Sequence, residues 1–247
     1  MVETALAGVR IVLVEPAGAL NVGAIARVMK NSALEHLVLV NPQCDPLSKE
    51  AQQMAVHAVD ILENAVQVAT LPEALVDCTR AIATTARDRD IPITLEHPRT
   101  ALPWLIEQQN TALIFGPEYR GLSNEELKYA QRFVRIPTSD RYPSLNLATS
   151  VAICAYELFQ RATQSTPTAL PSDSDAASLD MLEGYYQQLE RVLLDIGYLY
   201  PHTAASRMQK FRQVFNRTQL TASEVAMLRG VLSQIQWALQ QKTQEKS

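Results

Sequence analysis

The sequence predicts an α/β protein: a mostly parallel sheet with helices on both faces, followed by a small helical extension. Three observations carry this. Across residues 1–160, short β-branched runs alternate with stretches of helical spacing, the pattern of strands joined by crossover helices. Residues 161–178 (RATQSTPTALPSDSDAAS) are small and polar with two prolines, too poor in apolar surface to fold, and read as a linker. Residues 179–247 then return to helical spacing alone.

The strand-like runs, in order, are Val9–Glu15, Leu37–Asn41, Ala65–Thr70, Arg80–Thr85, Thr111–Phe115 and Phe133–Pro137. Between them, Ile25, Val28 and Met29 mark one helix, and Leu102, Leu105 and Ile106 another. Val151, Cys154, Ala155, Leu158 and Phe159 line a third. Ser123-Asn124-Glu125-Glu126 is a capping box, so a helix is predicted just after the Gly116–Leu122 loop. In the extension, Leu182, Tyr185, Leu189, Val192, Leu193 and Ile196 form one face, with Gly197 as a C-terminal cap. Met208, Phe211, Val214 and Phe215 predict a second helix. Thr221-Ala222-Ser223-Glu224 opens a third, carrying Val225, Leu228, Leu232, Ile235 and Leu239.

Composition narrows the class. A hydrophobic fraction of 47% with 19% charged residues is ordinary for a globular protein. No apolar run approaches the ~20 residues of a membrane span, and the N-terminus does not read as a secretory signal. Cys44, Cys78 and Cys154 are odd in number and widely spaced, which points to buried thiols in a reducing, cytoplasmic setting. His36, His57, His97 and His202 show no metal-ligand spacing, and no metal site is expected. The net charge of −4 gives no basic excess, so an RNA-binding surface must be a local patch or be built by combining chains.

Three short segments carry chemistry. Gly116 and Gly121 bracket a tight loop after a strand, where backbone can approach a ligand and φ can be positive. Within it, Glu118 can contact a ribose hydroxyl or tie the loop together. The spacing is neither G-x-G-x-x-G nor a P-loop, which disfavours dinucleotides and triphosphates. Asn21, Gly23 and Arg27 fall at the start of the first helix. Asn21 is a candidate N-cap, and Arg27 on spacing alone is a surface ion pair with Glu15 or Glu35. Ser144 and Asn146 precede a long apolar helix and one of them should cap it. Neither has a His and an Asp placed to make a hydrolase triad. In the extension, Arg207, Lys210, Arg212 and Arg217 surround Phe211 and Phe215 with no acid between 207 and 217. Such a face suits phosphate contacts and stacking, or it is a solvated surface over a phenylalanine core.

Taken in order, these segments resemble the three motifs of SPOUT-superfamily 2′-O-ribose methyltransferases. Asn21-x-Gly23-x-x-x-Arg27 matches the first and Phe115-Gly116-Pro117-Glu118-x-x-Gly121-Leu122 the second. Ile136-Pro137 with Ser144-Leu145-Asn146-Leu147-Ala148 matches the third. The likeness spans residues 9–160 and includes Thr84-Thr85-Ala86-Arg87. The extension resembles that of bacterial TrmJ-family tRNA (cytidine/uridine-2′-O-)-methyltransferases through Pro201-His202, Arg207, Phe211-Arg212, Phe215-Asn216-Arg217 and Glu224…Leu228-Arg229-Gly230.

The resemblance implies a methyltransferase domain over 1–160 with a C-terminal trefoil knot, which no composition argument would propose. It implies a cytoplasmic homodimer with composite active sites that methylates the ribose of tRNA anticodon-loop nucleotide 32. S-Adenosylmethionine would be held by Thr84, Thr85, Ala86, Gly116, Glu118, Gly121, Leu122, Ile136, Ser144, Leu145 and Asn146. Arg27, Ser144 and Asn146 would be catalytic. RNA would be bound by Arg27, Arg207, Lys210, Arg212 and Arg217. A superfamily enzyme for another tRNA position or for ribosomal RNA fits the same motifs. A non-catalytic RNA-binding module is disfavoured by the intact Arg27, Glu118 and Asn146.

Overall fold

A computed structural model describes residues 2–85, 93–164, 176–218 and 220–244. The chain divides into two compact units, Met1–Ser172 and Asp173–Ser247.

The first unit is built on seven strands: β1 (Val9–Val14), β2 (His36–Val40), β3 (Val66–Val68), β4 (Arg80–Thr84), β5 (Leu95–Glu96), β6 (Thr111–Phe115) and β7 (Arg132–Val134). They lie in the order β3-β2-β1-β6-β4-β7-β5, and every neighbouring pair is parallel. The central strands are buried on both faces, as a parallel sheet covered on both sides requires. In β1, Ile11 and Leu13 join the main apolar cluster, while Val12 and Val14, on the opposite face by strand alternation, are equally buried. All six runs read as strands contain strands: Thr111–Phe115 keeps its bounds, the other five end earlier, and β2 and β7 begin one residue sooner. The seventh, Leu95–Glu96, has only two residues and no pattern of its own; its place is set by pairing with Phe133 and Val134.

Eight α-helices and one 3₁₀ turn surround the sheet among the described residues of this unit. They are α1 (Val2–Leu6), α2 (Ala19–Asn31), α3 (Lys49–Ala55), α4 (Val59–Glu63), α5 (Leu71–Ala74), α6 (Pro98–Ala101), α7 (Asn124–Leu127) and α8 (Leu147–Gln164). The segment Leu102–Glu107, expected to be α-helical, is the 3₁₀ turn, with Leu102 and Pro103 at its start. Helix α2 buries Val22, Ile25 and Met29 against the sheet and α8. Each such side chain contributes roughly 1.5–3 kcal/mol relative to exposure. Gly23 lets α3 come close: a Cβ there would stand 2.2 Å from the Ala51 carbonyl oxygen. Helix α7 has the capping box anticipated, with Ser123 and Glu126 each satisfying the other's amide.

The second unit is three helices: α9 (Leu179–Asp195), α10 (Ala204–Thr218) and α11 (Ala222–Gln244). Leu182, Tyr185, Leu189, Val192, Met208, Val225 and Leu232 form its core, with Phe211 and Phe215 packed against it. Helix α9 ends in the reciprocal bonds of a Schellman cap, Tyr198 N–H to Leu193 O at 2.9 Å and Gly197 N–H to Leu194 O at 3.0 Å, with Gly197 at φ 75°. Ile196, expected on the apolar face, is half exposed at this cap. Thr221 and Glu224 make the capping box of α11.

The segment read as linker, 161–178, overlaps α8 at its start. Residues 161–164 complete α8, and the Ala177 amide donates to Leu220 O at 2.8 Å, drawing the start of α9 to the start of α11. Residues 165–175 of that segment lie outside the described residues. Cys78 and Cys154 are buried and Cys44 is half-buried; all three are free thiols. No described helix is long and apolar enough to cross a membrane.

Candidate active site

Strands β6, β4 and β7 are neighbours, and their carboxyl ends open into one solvent-exposed cavity. Crevices at strand carboxyl ends are where open α/β sheets take ligands. Thr84 and Thr85 come from the end of β4. Gly116, Glu118, Gly121 and Leu122 come from the loop after β6. Ile136, Ser144 and Leu145 come from the segment after β7. Nine of the anticipated cofactor neighbours thus line a single space. Ala86 lies outside the described residues, and Asn146 does not line the cavity. Pro143 and Ser150, which do, carry no signal that singles them out in the sequence.

The two glycines of the β6 loop serve different needs. Gly116 is steric: a Cβ would sit 2.2 Å from the Leu122 nitrogen and 2.3 Å from the Gly121 carbonyl carbon. Gly121 is conformational: its φ is +67° and nothing lies within 4 Å of where a Cβ would be. Bulk at Gly121 therefore meets no clash, only backbone strain. The Gly121 amide closes the loop on Pro117 O at 2.8 Å.

Glu118 ties the loop to the start of α2. Its Oε1 accepts from Asn21 Nδ2 at 2.8 Å and its Oε2 from the Ala17 amide at 3.2 Å. Desolvation works to raise this carboxyl. The Asn21 donor and the amides of Glu118, Ala17 and Gly18 outweigh it, so the group is held below the usual carboxylate range and is charged at neutral pH. Asn21 is not an N-cap. The helix starts earlier, at Ala19, with Gly18 as a cap that makes no side-chain bond. This places Asn21 in the first turn with its amide turned across to Glu118. Asn146 completes the chain. Its Nδ2 donates to Asn21 Oδ1 at 3.0 Å while its Oδ1 caps α8 through the Thr149 amide at 3.2 Å. Both ends of the Asn146 amide are thereby committed.

Arg120 anchors the outer side of the loop. It pairs with Glu126 and with Glu15, each at 2.8 Å, and Tyr119 also donates to Glu15 at 2.9 Å. Glu15 adopts φ 46°, a backbone strain held in place by these bonds. Its carboxyl is lowered, first by the Arg120 hydrogen bond and then by Tyr119. The ion pair considered for Arg27 with Glu15 is therefore taken by Arg120. Arg27 is exposed on α2 and has no partner among the described residues.

In the second unit the expected basic face divides. Arg212 forms a two-bond pair with Glu183, at 2.7 and 2.9 Å, with its guanidinium 4.3 Å from the Tyr186 ring centroid. Arg212 is thereby drawn off the exposed face, contrary to the expectation. Phe211 and Phe215 are partly buried against the core of this unit. Arg207, Lys210 and Arg217 remain exposed on α10.

Comparison with known proteins settles the family. The model of the SpoU rRNA Methylase family matches residues 8–156. The chain belongs to the SpoU methylase family. The extension is matched as well, by the TrmJ tRNA methyltransferase C-terminal domain, over residues 180–246. Among similar SpoU proteins is the tRNA (cytidine/uridine/adenosine-2′-O-)-methyltransferase TrmJ of Pseudomonas aeruginosa, 40% identical over 92% of this chain and 93% of that protein. The tRNA (cytidine/uridine-2′-O-)-methyltransferase TrmJ of Pectobacterium atrosepticum is 38% identical over 94% and 98%. The crystal structure of TrmJ from Zymomonas mobilis superposes with a TM-score of 0.80 at 30% identity, covering 92% and 98% of the two chains. The SpoU assignment thus covers the sheet unit that holds the cavity, and the TrmJ match covers the helical unit.

Proposed function

We propose that this chain is a tRNA 2′-O-ribose methyltransferase that uses S-adenosylmethionine and acts on anticodon-loop nucleotide 32. The observation that carries this reading is the meeting of the second and third motif segments at one cavity, with the first segment tied to both by the Glu118–Asn21–Asn146 bonds. The relatives' names supply the reaction class, and nucleotide 32 is the target that the extension's resemblance to the TrmJ type implies.

The cavity fits the cofactor chemically. Leu122, Val134, Ile136 and Leu145 offer apolar walls for a purine, next to main chain free of bulky side chains at Gly116 and Gly121. The loop's charges favour a cation over a phosphate: Arg120 faces Glu15 and Glu126, and Glu118 adds a third carboxylate. Bound there, S-adenosylmethionine supplies an electrophilic methyl group. Thr84, Thr85, Gly116, Gly121, Leu122, Ile136, Ser144 and Leu145 are assigned to hold it, with Glu118 shaping the loop.

Arg27 stays protonated and is no base. Its role is to fix the phosphate beside the target ribose and to stabilise the 2′-oxygen as negative charge develops on it. Phosphate or water takes the proton. Ser144, exposed at the cavity rim, orients the hydroxyl, while Asn146 holds the α8 start against Asn21. Arg27, exposed and without a partner among the described residues, supports a homodimer in which it serves the partner's cavity. The strand order supports the trefoil knot of the superfamily, because β7 lies beyond β4 and not beside β6.

Calorimetric titration with S-adenosylmethionine, followed by methyl transfer to tRNA, tests the reading. Mixing Arg27→Ala with a cofactor-dead Gly116→Ala variant tests the shared site: heterodimers should recover activity that both parents lack. Verified heterodimers with no recovery would overturn it.

A further inference from the structure

Beside α10 in the second unit, the aromatic rings that face solvent are not the helix's phenylalanines but the tyrosines of the turn before it; Trp237, also exposed, lies apart on α11. Tyr198 is 52% exposed and Tyr200 56%. A Tyr exposing more than half its surface is free to cover another ring. Each is also preorganised. Tyr200 stacks on His202, with ring centroids 6.0 Å apart and planes 24° from parallel. Tyr198 leans on Phe211 at 6.3 Å, and the Arg207 guanidinium stands 5.7 Å from its centroid. The backbone beneath is fixed by the Schellman cap at Gly197 and by the Thr203 and Ala204 amides, each donating to Tyr200 O at 2.9 Å.

A line of cations leads away from this turn. Arg207, Lys210 and Arg217 are exposed and fall at i, i+3 and i+10 of α10, close to one face. At 1.5 Å per residue they span about 15 Å. Arg212, which would break that face, is turned inward to Glu183. Rigid exposed rings at one end of a basic track, with no acid between 207 and 217, match how proteins hold single-stranded nucleic acid: rings stack bases, cations follow phosphates.

We propose that Tyr198, Tyr200 and His202 form a stacking platform for unpaired nucleobases of the RNA substrate, with Arg207, Lys210 and Arg217 contacting its backbone. This rests on the methyltransferase reading above and adds to it a base-contacting site in the helical unit.

The test uses the full-length chain and two probes, a short unstructured oligoribonucleotide and substrate tRNA, titrated at several salt concentrations. Tyr198→Ala/Tyr200→Ala should weaken oligonucleotide binding by about 5-fold to 100-fold per stacked base lost while leaving the salt slope unchanged. Tyr198→Phe/Tyr200→Phe should bind as the parent does. Arg207→Gln/Lys210→Gln/Arg217→Gln should flatten the slope of log affinity against log salt by about 2, three contacts at roughly 0.7 each. The tyrosine variant should raise the KM for tRNA and leave S-adenosylmethionine affinity intact. Wild-type affinity and KM in the folded double-alanine variant would overturn the platform. A parent protein that binds the oligonucleotide through these rings but transfers no methyl group would instead overturn the enzymatic reading alone.

Discussion

Asn21 donates to Glu118 at 2.8 Å across 97 positions of sequence, and the same side chain accepts from Asn146 at 3.0 Å. One amide thus connects α2 to the loop after β6 and to the cap of α8. The helix that carries Arg27 is held in register with the cavity through this link. Removing Glu118 leaves the Asn21 Nδ2 and the Ala17 amide without their acceptor. Glu118→Ala should cost about 1–2 kcal/mol of stability and loosen cofactor binding. Asn21→Ala, which cuts both bonds, should do at least as much; thermal unfolding and calorimetry check both.

The carboxylates around the loop set an acid limit. Glu15, Glu118 and Glu126 are all held below the ordinary Glu value of 4.5. A lowered folded value means the native state binds fewer protons than the unfolded one. Their contribution is therefore complete above about 4.5 and is lost as pH falls further. The melting temperature should drop below that pH, and less so in Glu118→Gln than in the parent once their neutral-pH difference is subtracted.

Gly116 and Gly121 should separate sharply. Gly116→Ala puts a methyl group 2.2 Å from backbone nitrogen and should abolish S-adenosylmethionine binding. Gly121→Ala meets open space and adds only left-handed strain, about 1–2 kcal/mol. Equal losses of affinity by calorimetry would contradict this ordering.

Gly23 links packing to function. An added Cβ would press on the Ala51 carbonyl at 2.2 Å and force α2 away from α3. Overpacking of this kind costs typically 1–3 kcal/mol. Because α2 also carries Asn21 and Arg27, Gly23→Ala should lower methyl transfer more than S-adenosylmethionine affinity, as steady-state kinetics beside calorimetry would show.

Much of this was legible in the sequence because it is local. The Val- and Ile-rich runs of β1, β2 and β6 declare themselves, as do the capping boxes at Ser123 and Thr221. The cavity's wall follows from loops that end strands. What the sequence hides is long-range. Leu95–Glu96 is too short to show alternation, and nothing local places β4 between β6 and β7. Asn21 has the composition of a cap, but Gly18 takes that position and frees it for Glu118. Arg212 looks like its basic neighbours until Glu183, 29 residues earlier, is packed against it. Tyr198 and Tyr200 are exposed in a turn, where no periodicity marks which side faces water.

The most direct measurement is a nucleotide-resolution map of ribose methylation in tRNA after incubation with S-adenosylmethionine and the purified chain. Parallel reactions would use Arg27→Ala. The account predicts a 2′-O-methyl group at nucleotide 32, with cytidine and uridine accepted, and a loss of about 10²–10³ in rate for Arg27→Ala at unchanged cofactor affinity. Methylation of a base, or of another position, or full activity without Arg27 would contradict it.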